Sequence, residues 1–366
     1  STMSTPHFHE LFVKQITPQA AGAVAVTLAI PPELRDAYAF QPGQFLTLRA
    51  SIQGEAVRRS YSICSSTQQL TRAQEIEVGI KPVDGGVFSN WAATQLQAGD
   101  TLDVMPPDGR FTSHLPPGAA LHRVGFAAGS GITPLLSLIA STLEDEPASR
   151  FTLVYGNQRV DSIMFNERLQ DLKDRYPARL SLIHLLSRQA QDVALLNGRI
   201  DGPKVTELVN TLIPVSGIDE AFICGPEGMI EATEQALLAA SLDKGRIRTE
   251  RFATAGSPVQ AARTTTTSKA GAAAPIALDV VVDGKTHHLG MGTQDKLLDV
   301  ALAAGLDLPY SCKGGVCCTC RARVIEGRVE MEKNFTLEPW EIDKGFVLTC
   351  QARALTPKVV VSYDER

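Results

Sequence analysis

Residues 310–320 read YSCKGGVCCTC, four cysteines within nine positions, and a fifth, Cys350, follows in VLTCQAR. The chain has 7 cysteines, five of them between residues 312 and 350. An odd number crowded into one region does not suggest a disulfide framework; clustered thiols in a reducing compartment read as metal ligands. Several thiolates must then converge from one short loop while the backbone passes close to what they bind. Gly314 and Gly315 let the chain bend there without Cβ clashes.

The spacing is C-x4-C-x2-C for Cys312, Cys317 and Cys320, then 29 residues to Cys350. Plant-type [2Fe–2S] ferredoxins carry this ligand pattern. Structural zinc prefers two separated C-x2-C pairs, of which only one occurs here. A Rieske centre needs two histidine ligands, and no histidine lies beyond His288. Cys318 is surplus to the four and reads as a small buried side chain turned away from them. The flanks agree: a hairpin in ALDVVVDGKTHHL turning at Asp283-Gly284, a helix in KLLDVALAAG, and closing strands in CRARVIEG and KVVVSY. His287 and His288 read as solvated strand residues.

A chain of 366 residues exceeds what one core usually organises, so two or three domains are expected. Its 44% hydrophobic and 20% charged residues are those of an ordinary globular protein. A net charge of -5 argues against nucleic acid as the main partner, and there is no polybasic patch for a membrane. No run approaches the ~18 apolar residues of a spanning helix. The opening STMSTPHFHELF lacks the regions of a secretory signal, Ser1 and Thr2 read as an expression remnant before Met3, and a cytoplasmic setting is expected.

Residues 253–275, ATAGSPVQAARTTTTSKAGAAAP, hold Val259 as their only sizeable apolar residue. A segment that buries so little does not offset its ordering entropy, so it reads as a flexible tether spanning roughly 25 Å. Before it the chain has two characters. Residues 8–115 carry short alternating runs (HELFVKQI, AVAVTLAI, QFLTLRASI, EIEVGIKPV, DTLDVM) punctuated by Gly, Pro and Asp, the pattern of an antiparallel barrel. From residue 121, apolar strands (RVGFAAG, FTLVYG, LSLIHLLS, EAFICGP) alternate with helical stretches (TPLLSLIASTLED, IMFNERLQDLKDRY, GMIEATEQALLAASL), which argues for a parallel sheet covered on both faces.

Two kinds of cofactor contact are legible. In RRSYSIC, Arg59-Ser60-Tyr61-Ser62 follows a strand and offers a cation, a stacking ring and a hydroxyl, the needs of a planar redox ring system with a phosphate. Some twenty residues on, GGVFSNW puts Gly85, Gly86 and Ser89 at a helix start, where unpaired N–H groups favour a pyrophosphate. Lys81 ahead of this turn and Val87 within it join the cofactor-binding candidates. Then GFAAGSGITPLLS ends a strand and opens a helix, bringing Gly129, Gly131 and Thr133 to a strand's carboxyl end, where open α/β sheets bind ligands. FICGPEGM repeats the construction with Cys224, Gly225 and Pro226. Cys224 is open to two readings, a core cysteine or a residue at the chemistry; Cys64 reads as core.

The motifs R-S-Y-S, G-S-G-I-T-P, Y-G-N and C-G-P come in the order of the ferredoxin–NADP reductase family, which residues 8–252 resemble, while residues 276–366 resemble a plant-type ferredoxin. The resemblance implies an antiparallel β-barrel binding FAD over 1–115, an α/β parallel-sheet NAD(P) domain over 116–252, the linker 253–275, and an α+β β-grasp ferredoxin domain over 276–366. It implies that Tyr61 stacks on the isoalloxazine, Arg59 meets the flavin phosphates, Ser62 the ring and Ser89 the pyrophosphate. Thr133 would lie between flavin and nicotinamide, Cys224 at the hydride-transfer position, and Glu250 and Phe252 of ERF near the flavin edge. Asn157, Ser187 and Arg188 sit where the adenosine end is expected. Arg188 is either a partner for a 2′-phosphate, favouring NADPH over NADH, or a solvated loop cation. FMN in place of FAD is not separated by R-S-Y-S.

The implied activity is electron transfer from NAD(P)H through flavin and cluster to a multicomponent oxygenase. YSICSS, AAGSGITP, YGNQR, NGRIDG, AFICGP, ERF, LPYSCKGGVC and VLTCQA resemble the reductases of di-iron phenylacetyl-coenzyme A epoxidases. Reductases of Rieske-type dioxygenases or ketosteroid hydroxylases share the motifs, and a non-catalytic redox-sensing or electron-carrier module is the alternative of another class.

Overall fold

Alternation of buried and exposed residues starts at β1 (His9–Pro18), where Leu11 and Val13 point inward and Glu10 and Phe12 outward. The computed structural model describes residues 5–252 and 276–365, so the stretch read as a tether lies outside the described residues. Two compact units result, the larger made of residues 9–57 and 61–252, the smaller of residues 276–365 together with 5–8 and 58–60.

In the larger unit β1 is joined by β2 (Val24–Ala29), β3 (Phe45–Ile52), β4 (Glu55–Ser62), β5 (Glu75–Ile80) and β6 (Thr101–Val104) in the order β4-β3-β6-β1-β2-β5. An antiparallel bridge between Ile63 and Val78 brings the end of β4 to β5, so the sheet closes on itself around Leu11, Val26, Leu46, Leu48, Ile76 and Val104. Two helices decorate it, α1 (Thr67–Ala73), capped by the Ser66 side chain, and α2 (Val87–Thr94). Arg59-Ser60-Tyr61-Ser62 forms the last residues of β4 itself rather than following a strand.

The second lobe of this unit is a parallel sheet in the order β11-β10-β7-β8-β9. Its elements are β7 (His122–Ala128), α3 (Ile132–Asp145), β8 (Arg150–Asn157), α4 (Asn166–Arg175), β9 (Leu180–Leu186), α5 (Gly202–Thr211), β10 (Glu220–Cys224), α6 (Glu227–Ala239) and β11 (Ile247–Glu250). Every residue of α3 from Ile132 to Leu143 is buried. A helix apolar on all sides needs cover on all sides. Here the sheet lies on one flank, and Ala23, Ala25 and Cys64 of the barrel lobe complete the same core cluster. Its serines bond across: Ser137 Oγ donates to Ser65 O at 2.7 Å, and Thr67 N donates to Ser141 Oγ at 3.2 Å. Leu135, Leu136 and Ile139 are fully buried, each stabilising the fold by about 1.5–3 kcal/mol.

Sequence reading passed over α1, α5 and β11. For α5 the signal was there: Asp201 caps it by accepting from Lys204 N at 2.9 Å, and Pro203 sits in the first turn. α4 starts at Asn166, later than the helical pattern from residue 163, because Phe165 adopts a left-handed φ of 60° and caps it.

The smaller unit contains β12 (Ile276–Val282), β13 (Lys285–Met291), α7 (Leu297–Ala303), β14 (Arg321–Glu326), β15 (Val329–Met331), α8 (Pro339–Asp343), β16 (Phe346–Leu348), β17 (Ala352–Ala354) and β18 (Lys358–Ser362). The main sheet runs β13-β12-β18-β14-β16, with β15 and β17 paired separately. β12 and β13 turn at Asp283 and Gly284, both at positive φ (51° and 75°), the conformation that suits Asp-Gly hairpins. β12 pairs with β18 in parallel, and α7 packs Leu297, Leu298 and Ala301 into the core. None of the described helices is long and apolar enough to cross a membrane.

One buried ion pair ties the parallel sheet together. Arg123 on β7, 3% exposed, donates to Glu220 Oε1 on β10 at 3.2 Å, to Glu146 Oε2 at 2.5 Å and to Ser113 Oγ at 3.2 Å. Replacing Arg123 by Ala strands the Glu220 carboxylate, so urea unfolding should show a loss of about 3–5 kcal/mol. Adding Glu220→Gln to that variant should recover part of it.

Candidate functional site

The first site forms where β7 and β10 end side by side, Cys224 opposite Ala127 in the register. Beyond β7 the chain turns through Gly129, whose φ of +54° suits glycine, and Gly131 then passes over the end of β10. A Cβ on Gly131 would lie 2.1 Å from the Cys224 carbonyl oxygen, and one on Gly225 would lie 2.6 Å from Met229 Sδ. The G-S-G-I-T-P and C-G-P turns therefore pack backbone against backbone, which leaves main chain rather than side chains facing outward. Tyr155 of Y-G-N, which sequence reading left without a role, is within hydrogen-bond distance of both the Gly129 and Met164 carbonyls, at 3.0 and 3.1 Å, and burial pushes its phenol pKa up. Thr133 is buried, donating to Ser130 O at 3.1 Å. Pro226 immediately precedes α6.

The barrel lobe presents one strand to these turns. On β5 and just after it, Glu77, Gly79 and Lys81 share a face. A Cβ on Gly79 would come within 2.7 Å of Thr133 Cγ2, and one on Gly129 would lie 3.8 Å from Lys81 Nζ. On β4, Tyr61 is half-buried, 5.7 Å from the Phe88 ring at a 37° tilt, and Ser62 is buried. Arg59 Nη1 donates to Arg58 O at 2.7 Å. Gly85 (φ +72°) and Gly86 make the turn into α2, with Gly86 at its cap, Val87 exposed, and Ser89 buried with its oxygen accepting from Val83 N at 3.2 Å.

At the far side of the sheet Asn157 and Leu186 end adjacent strands. Ser187 N donates to Asn157 O at 3.0 Å and Arg188 N to Gln158 O at 2.9 Å, so these candidates lie together. The Asn157 amide nitrogen and both His184 ring nitrogens are buried with no hydrogen-bond partner among the described residues. Buried polar groups are normally paired, so this rim fits a ligand that supplies acceptors and donors. A cleft of about 540 Å³ lies instead at the amino ends of the strands, by Arg150, Ser181 and Ser216. There both His122 ring nitrogens are already paired, to Gly217 O and Thr152 Oγ1, and it takes no part in the site.

Glu250 stands opposite Cys224 across the β10–β11 pair, and Phe252, 36% exposed, follows it. Burial is the main cause that pushes the Glu250 carboxyl up to about 8, with Asp108 adding and Arg251 opposing. Burial, and then the Glu250 charge, hold the Cys224 thiol well above its usual range, so it is a neutral thiol near pH 7.

In the smaller unit Cys312, Cys317, Cys320 and Cys350 are all buried. Cys312 Sγ accepts from the amides of Gly314, Val316 and Cys317 at 3.3–3.4 Å. A hydrogen bond from Cys317, then those amides, bring its thiol down to about 6. Cys320 is likewise hydrogen-bonded to Cys350. Among the described residues no group of three or more His, Cys, Asp or Glu side chains is arranged to hold a single ion; the close thiol pairs are Cys312 with Cys317 and Cys320 with Cys350, and four thiols so placed could be shared by two irons. Gly315 is at φ +79°, where a Cβ would meet Lys333 O at 2.8 Å, whereas Gly314 has room. Gln351 Nε2 donates to Lys313 O at 2.9 Å, Thr349 Oγ1 to Cys320 O at 2.8 Å, and Tyr363 OH bonds Thr349 Oγ1 at 2.7 Å, tying the turn that carries the fourth thiol to the loop. Cys318 belongs to the apolar core.

The raised Glu250 pKa has a pH consequence. A carboxyl whose folded pKa exceeds its unfolded one favours the protonated fold, so stability falls as pH rises from about 4.3 to about 8 and is flat above. Against Glu250→Gln, which lacks this titration, the wild-type urea midpoint should drop between pH 5 and pH 8; a constant difference would contradict the assignment.

Residues 25–113 match the oxidoreductase FAD-binding domain family, residues 126–235 the oxidoreductase NAD-binding domain family, and residues 280–355 the 2Fe-2S iron-sulfur cluster binding domain family. A component of the 1,2-phenylacetyl-CoA epoxidase of Escherichia coli (strain K12) is 45% identical over 361 residues, 98% of each chain. The ferredoxin reductase component of the 3-ketosteroid-9-alpha-monooxygenase of Rhodococcus rhodochrous is 34% identical over 369 residues, 99% of this chain and 100% of that one. The solved phthalate dioxygenase reductase, 19% identical, shares the fold with a TM-score of 0.59 over 97% of this chain and 98% of its own. Carrying FAD-binding, NAD-binding and [2Fe–2S] domains in this order, the chain belongs to the ferredoxin-reductase-type family of oxygenase reductase components.

Proposed function

We propose that this chain oxidises NAD(P)H and serves the oxygenase of a phenylacetyl-coenzyme A epoxidase system in a cytoplasmic setting. The observation that carries the reading is full-length likeness at 45% identity to a component of such an epoxidase. The domain limits that go with it are a FAD-binding barrel over 1–115, a nicotinamide domain over 116–252, a linker over 253–275 and a ferredoxin over 276–366. A flavin accepts a hydride and releases electrons singly, which joining a two-electron donor to a one-electron cluster requires.

The chain's own residues would hold and orient these groups. Tyr61 offers a ring face for stacking, Ser62 a hydroxyl at the ring edge, and Arg59 a cation for phosphate. Ser89 keeps its hydroxyl proton available, since its oxygen accepts from Val83 N; with the Gly85–Val87 turn it suits a pyrophosphate. Lys81, Gly129, Gly131 and Thr133 would border the nicotinamide, with Gly225 and Pro226 letting it approach Cys224. A neutral Cys224 thiol and a protonated Glu250 put no negative charge beside a site that loses hydride. Asn157, Ser187 and Arg188 would take the adenosine end, Arg188 favouring a 2′-phosphate and hence NADPH. Cys312, Cys317, Cys320 and Cys350 would ligate the two irons. A second reading, a ketosteroid monooxygenase as acceptor, is favoured by the 34% identical relative.

Four measurements test this. NAD(P)H should bleach both flavin and cluster absorbance in stopped flow; a flavin that stays oxidised would point to a redox sensor. Cys224→Ala should keep its flavin and lose about 10-fold or more in hydride-transfer rate, the scale of one misplaced reacting group. Cys320→Ala should lose the cluster absorbance that Cys318→Ala keeps. Reconstitution with purified epoxidase and ketosteroid oxygenase then names the acceptor, and turnover only with the latter would sink the leading reading.

A further inference from the structure

Glu77 is a carboxylate buried to 4% exposure on the outer face of the barrel lobe, where nothing in the cofactor sites uses it. Arg168 of α4 grips it with both guanidinium nitrogens, Nη2 to Oε2 at 3.1 Å and Nη1 to Oε1. Cys64 Sγ lies 3.3 Å from Oε1 and Thr27 Oγ1 3.5 Å from Oε2. Two residues further along the same strand face, Gly79 leaves the notch filled by Thr133 and the Phe165 ring. Phe165 holds a left-handed φ of 60°, costly for an aromatic residue. Its amide donates to Gln19 Oε1 of the barrel lobe at 3.3 Å, and the Arg168 guanidinium lies 5.2 Å above its ring. Strain of this kind persists only where surrounding contacts over-determine it. The Glu77–Arg168 pair, the filled Gly79 notch and the Gln19 bond all join the flavin-binding lobe to the nucleotide lobe.

From this we infer that the Glu77–Arg168 pair, with Phe165 in the Gly79 notch, is a positioning clasp that sets Thr133 and Cys224 at the correct distance from the flavin lobe for hydride transfer. Neither residue touches a reacting atom. The hydride leaves the nicotinamide ring, which is oxidised, and joins the flavin, which is reduced; the clasp fixes the separation across which it moves. A bidentate pair suits this because it fixes angle as well as distance, and misplacement by about 1 Å can cost on the order of 100-fold in rate. The inference rests on the flavin and nicotinamide reading above.

The test uses the full chain with its cofactors. Glu77→Gln keeps the shape while removing the charge and one of the two acceptor oxygens of the fork; Arg168→Met keeps the stem over Phe165; Arg168→Lys keeps the charge without the fork. At saturating NADPH the limiting rate of flavin bleaching should fall about 10- to 100-fold in the first two, the scale of an ångström-sized misplacement, while NADPH affinity and flavin content stay near wild type. Arg168→Lys should recover part of the rate. On the oxidised protein without nucleotide, amide hydrogen exchange should rise across residues 163–169 in Glu77→Gln and stay unchanged in β7 and β10. An unchanged limiting rate overturns the proposal, and so does loss of affinity in step with rate. Loss of flavin from Arg168→Lys, the mildest change, assigns the pair to stability and overturns it too. Failure of wild-type flavin to bleach would instead remove the functional reading beneath it.

Discussion

The larger unit depends on one strand face. Residues 77, 79 and 81 alternate along β5 and its continuation, and all three face the nucleotide lobe: a buried carboxylate gripped by Arg168, a notch occupied by Thr133 and Phe165, and a half-buried ammonium beside Gly129. The paired strand β2 supports this with small residues, Ala25 opposite Gly79 and Thr27 opposite Glu77. Because side chains alternate strictly along a strand, one strand both closes the barrel core through Ile76, Val78 and Ile80 and docks the second lobe. That outer face adds Gly79 against Thr133 to the cover that Ala23, Ala25, Cys64 and Ser65 give α3.

The same geometry explains which glycines matter. Gly131 faces a carbonyl at a distance no side chain could share, and Gly129 needs its positive φ to begin the turn. Both serve the approach of one βα turn to the end of β10. Gly85 serves a separate turn, and a Cβ there would meet open space, so only its φ of +72° calls for glycine.

Much of this was legible in the sequence, and the reason differs by region. The thiol spacing is a local property, so C-x4-C-x2-C announced its chemistry before any fold was known. G-S-G-I-T-P and C-G-P were legible for the same reason, as was Asp283-Gly284. What was not legible was long-range. EIEVG belongs to an alternating run, and nothing local says that Glu77 meets an arginine 91 positions away. Tyr155 and His184 likewise looked like strand residues; their environment exists only after β8 and β9 pair. The helix start at Asn166 was missed because the αL conformation of Phe165 is imposed by tertiary contacts with Gln19 and Gly79, against local preference.

The two redox sites are therefore held by different physics. The proposed iron site is built within about forty residues: the loop offers amides to Cys312, and Gln351 and Thr349 bind the fourth thiol's segment back to it. Its integrity needs a local loop and one core, and Gly315 with Cys318 anchors it from inside. The proposed hydride site has no such autonomy, because the residues assigned to it come from two lobes and from strands far apart in the chain, from Tyr61 on β4 to Glu250 on β11. An arrangement assembled from separate lobes is only as well defined as the contact between them. That contact is where a buried charge pair and a strained aromatic are concentrated, and an apolar patch alone would leave it free to slide. Directional bonds, fewer but fixed in angle, give the lobes a single register, and hydride transfer over a short gap needs a single register more than it needs further stability.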